Sequence, residues 1–417
     1  MLLFCWITGT LLAAVWLSRT IDAALGLPRV AVITGPAWDA VRSPAPTDAP
    51  AVAVAIIVPA RNEEESIEAC LRSLLALEYP AFRVIAIDDR STDSTGAIMD
   101  RLAAESASRR LQVIHVSELP EGWLGKTHAM WIGAEAAAAA ETANAGAETA
   151  QATAASSRAN PKDDWLLFTD GDVIFRPDTL NRAVAYAARE AADHLVLYPT
   201  IIMKTFGERM MIGFFQIMFV FGHRSWKVAD PKSRDHVGVG AFNMVRRGAY
   251  QQIGTYRALR FEVVDDLQLG RRIKQHGLRQ RNVLGPGLIS LRWAKGALGI
   301  ARNLNKNFFA LFRYRSSIAL GAAFAALVLN LGPFLGVWLA PGWSKLGFAV
   351  SLLSIFALYV GGKKISQVSP LYFFAHPLAT VLVVFTILRS TCSVLWQGGV
   401  VWRGTKYPLA ELRKNLG

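Results

Sequence analysis

Residues Trp165 to Val173 read WLLFTDGDV, an unbroken apolar run that stops at two acids one residue apart, Asp170 and Asp172. A strand with no alternating polar positions is buried on both faces, as in a parallel sheet covered by helices. Acids at its carboxyl end therefore fall on the rim where open α/β sheets bind ligands. In extended chain, residues i and i+2 point the same way, so Asp170 and Asp172 are expected to face one site, with Gly171 leaving room for a ligand. Two convergent carboxylates repel each other unless a cation neutralises them, and hard oxygen ligands suit Mg²⁺ or Mn²⁺. The competing reading is a strand-end turn whose acids cap the following helix.

Upstream, strand-like and helix-like runs alternate. Ala51 to Pro59 (AVAVAIIVP), Arg83 to Ile87 and Leu111 to Val116 read as strands, while Asn62 to Leu77 and Ser94 to Ala104 read as helices. This βαβαβ order predicts a parallel sheet. After the first strand come Ala60, Arg61, Asn62 and Glu63, and after the second Asp88, Asp89, Arg90, Ser91, Thr92 and Asp93. Carboxylates there can accept hydrogen bonds from a base or a ribose, and a helix amino terminus accommodates phosphate. Turn formation by Asp89 and Ser91, with capping by Asp93 or Ser94, explains part of the same pattern. Gly122-Trp123-Leu124-Gly125-Lys126 adds a turn with a cation suited to a diphosphate. The alanine-rich stretch 134–163 has no evident apolar face and is expected to be a loosely helical or disordered insertion.

Downstream, VVDDLQLGRR places Asp265 and Asp266 before a helix with a basic end, so one is a helix cap and the other a candidate base. Ile289-Ser290-Leu291-Arg292-Trp293 offers a fixed cation and an indole platform.

Of the 417 residues 52% are hydrophobic, too apolar for a purely soluble chain of this length. Leu2 to Leu17 reads as an uncleaved anchor, followed by Arg19, Arg29 and Arg42, and Ile318 to Ala340, Leu346 to Val360 and Leu371 to Leu388 are further apolar stretches. Positive charge after the anchor predicts that the chain beyond it lies in the cytoplasm, yet three more full spans would put the basic tail outside. Either Leu346 to Val360 or the stretch after Arg389 is therefore expected to be re-entrant or interfacial. Phe206 to Phe221 and Ala297 to Phe312 read as segments lying in the headgroup layer. A net charge of +13, crowded beside apolar stretches, favours lipid and phosphate over nucleic acid. The three cysteines are too far apart for a zinc site or disulfide framework.

The ordered set PARNEE, IDDRSTDST, GWLGKTHA, TDGD, VVDDLQLGRR and RW, with the tail WRGTKYP, resembles the membrane-bound family 2 glycosyltransferases, in the style of ceramide glucosyltransferase-like and hopanoid-associated enzymes. That resemblance implies an α/β GT-A fold, Rossmann-like and mostly parallel, over 50–295. It would be flanked by an anchor at 1–20, an interfacial helix at 296–315, a transmembrane bundle at 318–396 and a basic tail at 397–417. The implied localisation is the cell inner membrane, multi-pass, with the catalytic domain cytoplasmic. The implied partners are a UDP- or GDP-linked sugar, a lipid acceptor and the membrane, with Mg²⁺ or Mn²⁺ as cofactor.

By position, Ala60, Arg61, Glu63, Asp88 and Asp89 would hold the nucleoside, Lys126 would approach the diphosphate, and Asp170 would take part in binding the nucleotide sugar. Asp172, with Asp170, would hold the metal, Asp266 beside Asp265 would be the base, and Arg292 and Trp293 would close the motif. The family's QxxRW glutamine is Ile289 here, and the usual glutamate before the catalytic aspartate is Asp265. Loss of the glutamine favours a single-transfer enzyme over a processive polysaccharide synthase. An isoprenoid enzyme and a non-enzymatic carrier are the readings outside this class.

Overall fold

The structure, a computed structural model, describes residues 1–38, 52–106, 110–149 and 164–414. Arg42, Ala51, residues 150–163 of the alanine-rich stretch and the last three residues of the tail lie outside them. In chain order the strands are β1 (Ala31–Val32), β2 (Val54–Ala60), β3 (Phe82–Asp89), β4 (Leu111–Val116), β5 (Trp165–Phe168), β6 (Ile174–Phe175), β7 (His194–Tyr198), β8 (Thr200–Ile201), β9 (Asn243–Arg246), β10 (Gln280–Leu284), β11 (Ile289–Leu291), β12 (Gly399–Trp402) and β13 (Thr405–Pro408). The α-helices are α1 (Leu2–Gly26), α2 (Ile67–Leu75), α3 (Thr95–Glu105), α4 (Gly125–Thr149), α5 (Thr179–Arg189), α6 (Phe206–Gly222), α7 (Arg247–Gln252), α8 (Asp265–Gln275), α9 (Gly296–Leu311), α10 (Ser316–Ala326), α11 (Gly332–Leu339), α12 (Lys345–Ser366), α13 (His376–Gln397) and α14 (Leu409–Lys414). They divide into two compact units, Ala31–Thr200 with Val228–Leu291, and Met1–Val30 with Ile201–Lys227 and Arg292–Gly417.

The first unit is built on an eight-stranded sheet of order β1-β10-β7-β9-β5-β2-β3-β4. Strands β5, β2, β3 and β4 are parallel, and β9 inserts antiparallel between β5 and β7. Alternation along β2 explains the layers: Ile56, Val58 and Ala60 enter the core with Ile67, Leu71 and Leu74 of α2, whereas Ala55 and Ile57 face Ala129 and Met130 of α4.

Over 134–149 helix α4 agrees with the helical alternative for the alanine-rich stretch and corrects the expectation that it has no apolar face. The stretch is helical through Thr149, and Ala134 and Ala137 are buried in the core. Just before them, a Cβ on Gly133 would stand 2.5 Å from Ile57 Cγ2. Small residues let the helix axis approach the sheet, so alanine here forms an apolar face that a count of large hydrophobics does not register.

The second unit holds α1, α6 and the carboxyl-terminal helices, so α6 belongs with the long apolar helices although its sequence lies inside 50–295. Among the described residues four segments are long and apolar enough to cross a membrane: Leu2–Arg29, Ser316–Leu339, Gly342–Lys363 and Pro370–Gln397. Gly9 and Gly347 let α1 and α12 touch backbone to backbone, since a Cβ on Gly347 would lie 2.3 Å from the Gly9 carbonyl carbon.

The last segment starts against the middle of the bundle. Its Phe373 packs on Phe334 and Phe356, and His376, at the start of α13, pairs with Tyr359 Oη at 3.1 Å and Asn330 Oδ1 at 3.0 Å. Roughly 21 Å further along the helix, at 1.5 Å per residue, Ser390 accepts from Phe309 N at 3.1 Å, just ahead of α10. Helix α13 therefore begins midway along α12 and returns to the end where α10 starts. The chain turns between α12 and α13, a stretch that the sequence pattern does not single out. The tail forms a hairpin, β12–β13, whose two-residue turn Arg403-Gly404 has positive φ at both positions.

Candidate active site

The carboxyl ends of β2, β3 and β5 open on one edge of the α/β unit. The loops after β2 and β3 are stitched together: Asn62 N donates to Ser91 Oγ (3.0 Å), Asn62 Oδ1 accepts from Thr92 N (2.8 Å), and Glu63 N donates to Thr95 Oγ1 (2.8 Å). Ala60 lies beside Asp88 in the β2–β3 register, which sets the two loops side by side, with Arg61 leading out of β2. The Glu63 carboxylate accepts from Ser66 Oγ at 3.0 Å.

Asp88 accepts from Ser91 N at 3.2 Å and pairs with His115 Nδ1 at 3.1 Å, while His115 Nε2 reaches Asp100 at 2.9 Å. Asp100, then Asp88, hold the imidazole above its ordinary titration range. Asp89 is gripped by Arg90 through Nε at 2.8 Å and Nη2 at 3.1 Å. A Cβ on Gly125 would lie 2.4 Å from Asp89 Oδ2, so the helix bearing Lys126 starts against this carboxylate.

Strand β5 ends at Phe168, and Gly171–Asp172 form a turn. Strand alternation is therefore not what brings Asp170 and Asp172 together, contrary to the expectation for extended chain; a turn anchored by Asp170 N on Gly240 O (3.1 Å) does so. Lys126 Nζ lies 2.7 Å from Asp170 Oδ1 and 3.6 Å from Asp265 Oδ1. Asp265 is buried and accepts from Tyr256 Oη at 3.2 Å. Asp266, half-buried, accepts from Gly240 N and from Leu267 N, each at 2.8 Å. Gly240 thus joins both acid pairs, and a Cβ there would lie 2.5 Å from Asp170 Oδ2.

Charge follows from this packing. Burial pulls Lys126 down, but Asp170, Asp265 and Asp266 hold it well above the usual lysine range, so it remains an ammonium. Burial, then Asp265, pushes Asp266 up to about 6, and burial pushes Asp265 up against the pull of Lys126. Asp172 rises to about 7 through burial, then Asp170 and Glu63. The Lys126 ammonium offsets only part of this, and a carboxylate still raised by burial and two neighbouring acids is in an environment that a divalent cation relieves. Among the described residues no three acidic, histidine or cysteine side chains form a metal cluster. The donor set fits Mg²⁺ or Mn²⁺ held by Asp172 and Asp170 with the remaining positions left to ligand oxygens.

Arg292 and Trp293 belong to the second unit. There Arg292 Nη2 pairs with Glu208 Oε1 at 2.7 Å, and the Trp293 ring meets Phe215 edge-on at 5.3 Å. Sequence reasoning missed Gly240, His115, Tyr256 and Glu208. Only the glycine spacing in GVGAFN hinted at a close approach.

The cluster of acids and Lys126 stands at the strand ends, where open α/β sheets bind ligands. Residues 50–286 match the family described as Glycosyltransferase like family 2, and the chain belongs to that family. It is a glycosyltransferase, with the mostly parallel GT-A arrangement in its α/β unit. The 4,4'-diaponeurosporenoate glycosyltransferases of Staphylococcus aureus strains MRSA252 and USA300 are each 22% identical, over 368 and 371 residues, covering 86% of this chain and 89% of theirs. Among solved structures, the mannosyltransferase PcManGT from Pyrobaculum calidifontis in complex with GDP-Man and Mn2+ covers 94% of this chain and 99% of its own, at 18% identity and a TM-score of 0.48.

Proposed function

We propose that the protein moves one sugar from a nucleoside diphosphate donor to a membrane lipid acceptor, with inversion at the anomeric carbon. The observation that carries this reading is the ammonium of Lys126 between Asp170 and Asp265, with Asp266 tied through Gly240 to the same turn. One cation for a diphosphate and one elevated carboxylate for a hydroxyl proton then share a small space. Ala60, Arg61, Glu63, Asp88 and Asp89 hold the nucleoside in this reading, on the laced loops after β2 and β3.

Asp266 takes the acceptor hydroxyl proton as the oxygen attacks, its basicity raised by burial and by Asp265 to about 6. Lys126 offsets negative charge on the departing diphosphate. Arg292 and Trp293 take their proposed roles from the motif they match, a cation for a phosphoryl group and a face for sugar or lipid. A divalent ion at Asp172 and Asp170, when bound, supplies further neutralisation of the diphosphate.

A lipid acceptor is supported by the membrane-length helices and by the Staphylococcus aureus relatives, named for the lipid-like diaponeurosporenoate. Arg19 and Arg29 near the end of α1, together with the basic tail, support a cytoplasmic catalytic unit by the positive-inside tendency. Ile289 in place of the family glutamine supports single transfer over polymerisation.

The test is to incubate purified protein with a panel of sugar nucleotides and total host lipids, identify the product by mass and read its anomeric configuration by NMR. A retained configuration, a polymer, or no release of nucleoside diphosphate would reject the proposal.

A further inference from the structure

Glu208 is 2% exposed, and its carboxylate draws three donors from separate segments: Arg292 Nη2, Lys204 N and Gly296 N, each at 2.7 Å. Thr205 caps the same turn, its hydroxyl accepting from Glu208 N at 3.3 Å. A Cβ on Gly207 would stand 2.9 Å from Ala297 Cβ, so the first turn of α6 is pressed onto the start of α9. Burial pushes the Glu208 carboxyl up, but Arg292 and the two amides hold it down at about 2, so the ion pair persists across any working pH.

Arg292 is satisfied on this side only. Its Nε is buried with no hydrogen-bond partner among the described residues. A buried donor of a charged group left unpaired is costly, and such groups cluster where a ligand atom completes them. A guanidinium fixed at one nitrogen and open at another suits a planar, two-point encounter with phosphate.

We infer that Glu208 is a positioning residue that fixes Arg292 so that its Nε meets a phosphoryl oxygen. This rests on the proposed role of Arg292 in the transfer reaction. The phosphoryl group belongs either to the leaving nucleoside diphosphate or to a lipid headgroup, and the two sources separate experimentally. In sequence Glu208 looks like an ordinary acid in the first turn of a helix, and only the convergence of three segments on its carboxylate assigns it more.

The experiment uses full-length protein in phospholipid-free neutral detergent and in phosphatidylglycerol vesicles. It follows nucleoside diphosphate release from whichever of UDP-glucose, UDP-N-acetylglucosamine and GDP-mannose the wild type turns over fastest. Glu208→Gln is expected to lower kcat about 10–100-fold while donor KM stays within about 3-fold. The double variant with Arg292→Ala should be no slower than Arg292→Ala alone, because the two residues act as one unit. Glu208→Asp, which keeps the charge but shortens its reach, should fall between, and replaces Glu208→Gln if that protein does not fold. Unchanged turnover, or a penalty that multiplies with that of Arg292→Ala, overturns the inference. A penalty confined to the vesicles upholds it with a lipid phosphate as ligand, and removes Arg292 from the diphosphate role.

Discussion

Asp266 combines partial exposure with a raised titration point, and the two decide its chemistry. A base must be deprotonated to act, so turnover should rise with pH through about 6 and be lost below it, where Asp266 is protonated. Asp266→Asn should lower kcat by about 10²–10⁴-fold, remove that limb of the profile and leave donor affinity near wild type. Asp172 carries a different consequence. Its folded-state titration point is raised despite the pull of Lys126, so above about pH 7 the site holds a carboxylate only partly compensated and below it a neutral acid. Millimolar Mg²⁺ or Mn²⁺ should therefore raise the melting temperature at pH 8 and do little at pH 5.5, and Asp172→Asn should abolish the difference. Equal stabilisation at both pH values would remove Asp172 from the metal site. The motifs TDGD and VVDD could be read as acid pairs from sequence, but their partners could not, because Lys126 and Gly240 approach only through the fold.

At the scale of elements, α4 and α13 teach opposite lessons. Helix α4 was obscured because alanine and glycine carry little hydrophobic signal, yet their small size allows contact with Ile57 and Ile87. Gly133→Val would force side-chain volume into that contact, and overpacking of this kind costs about 1–3 kcal/mol. A fall in melting temperature with β2 and α4 otherwise intact is the expected reading, and no change would mean the helix stands further off the sheet. Helix α13 had an ample apolar signal, but composition fixes only that a segment suits lipid and not whether it crosses. The contacts of Phe373 and His376 set only where the segment starts against its neighbours. His376, Tyr359 and Asn330 satisfy one another there, which is how polar groups persist among apolar helices.

For the whole molecule, a turn-back between α12 and α13 would leave three complete crossings. Three complete crossings put the tail at the opposite end of the bundle from the α11–α12 connection, whereas four would put them at the same end. Cysteines introduced at Gly342 and Lys414 should then be labelled by impermeant maleimide from opposite sides of sealed vesicles. Labelling from the same side would make α13 a full span.

The amino-acid sequence by itself determined the alternation of strands and helices, the apolar lengths and the order of the motifs, because each depends on side chains close together in the chain. Tertiary structure decided which cation answers which carboxylate, where the fourth apolar segment turns, and that Glu208 holds Arg292. Those are pairings between distant residues, and their energies exist only once packing has excluded water and brought the groups within bonding distance.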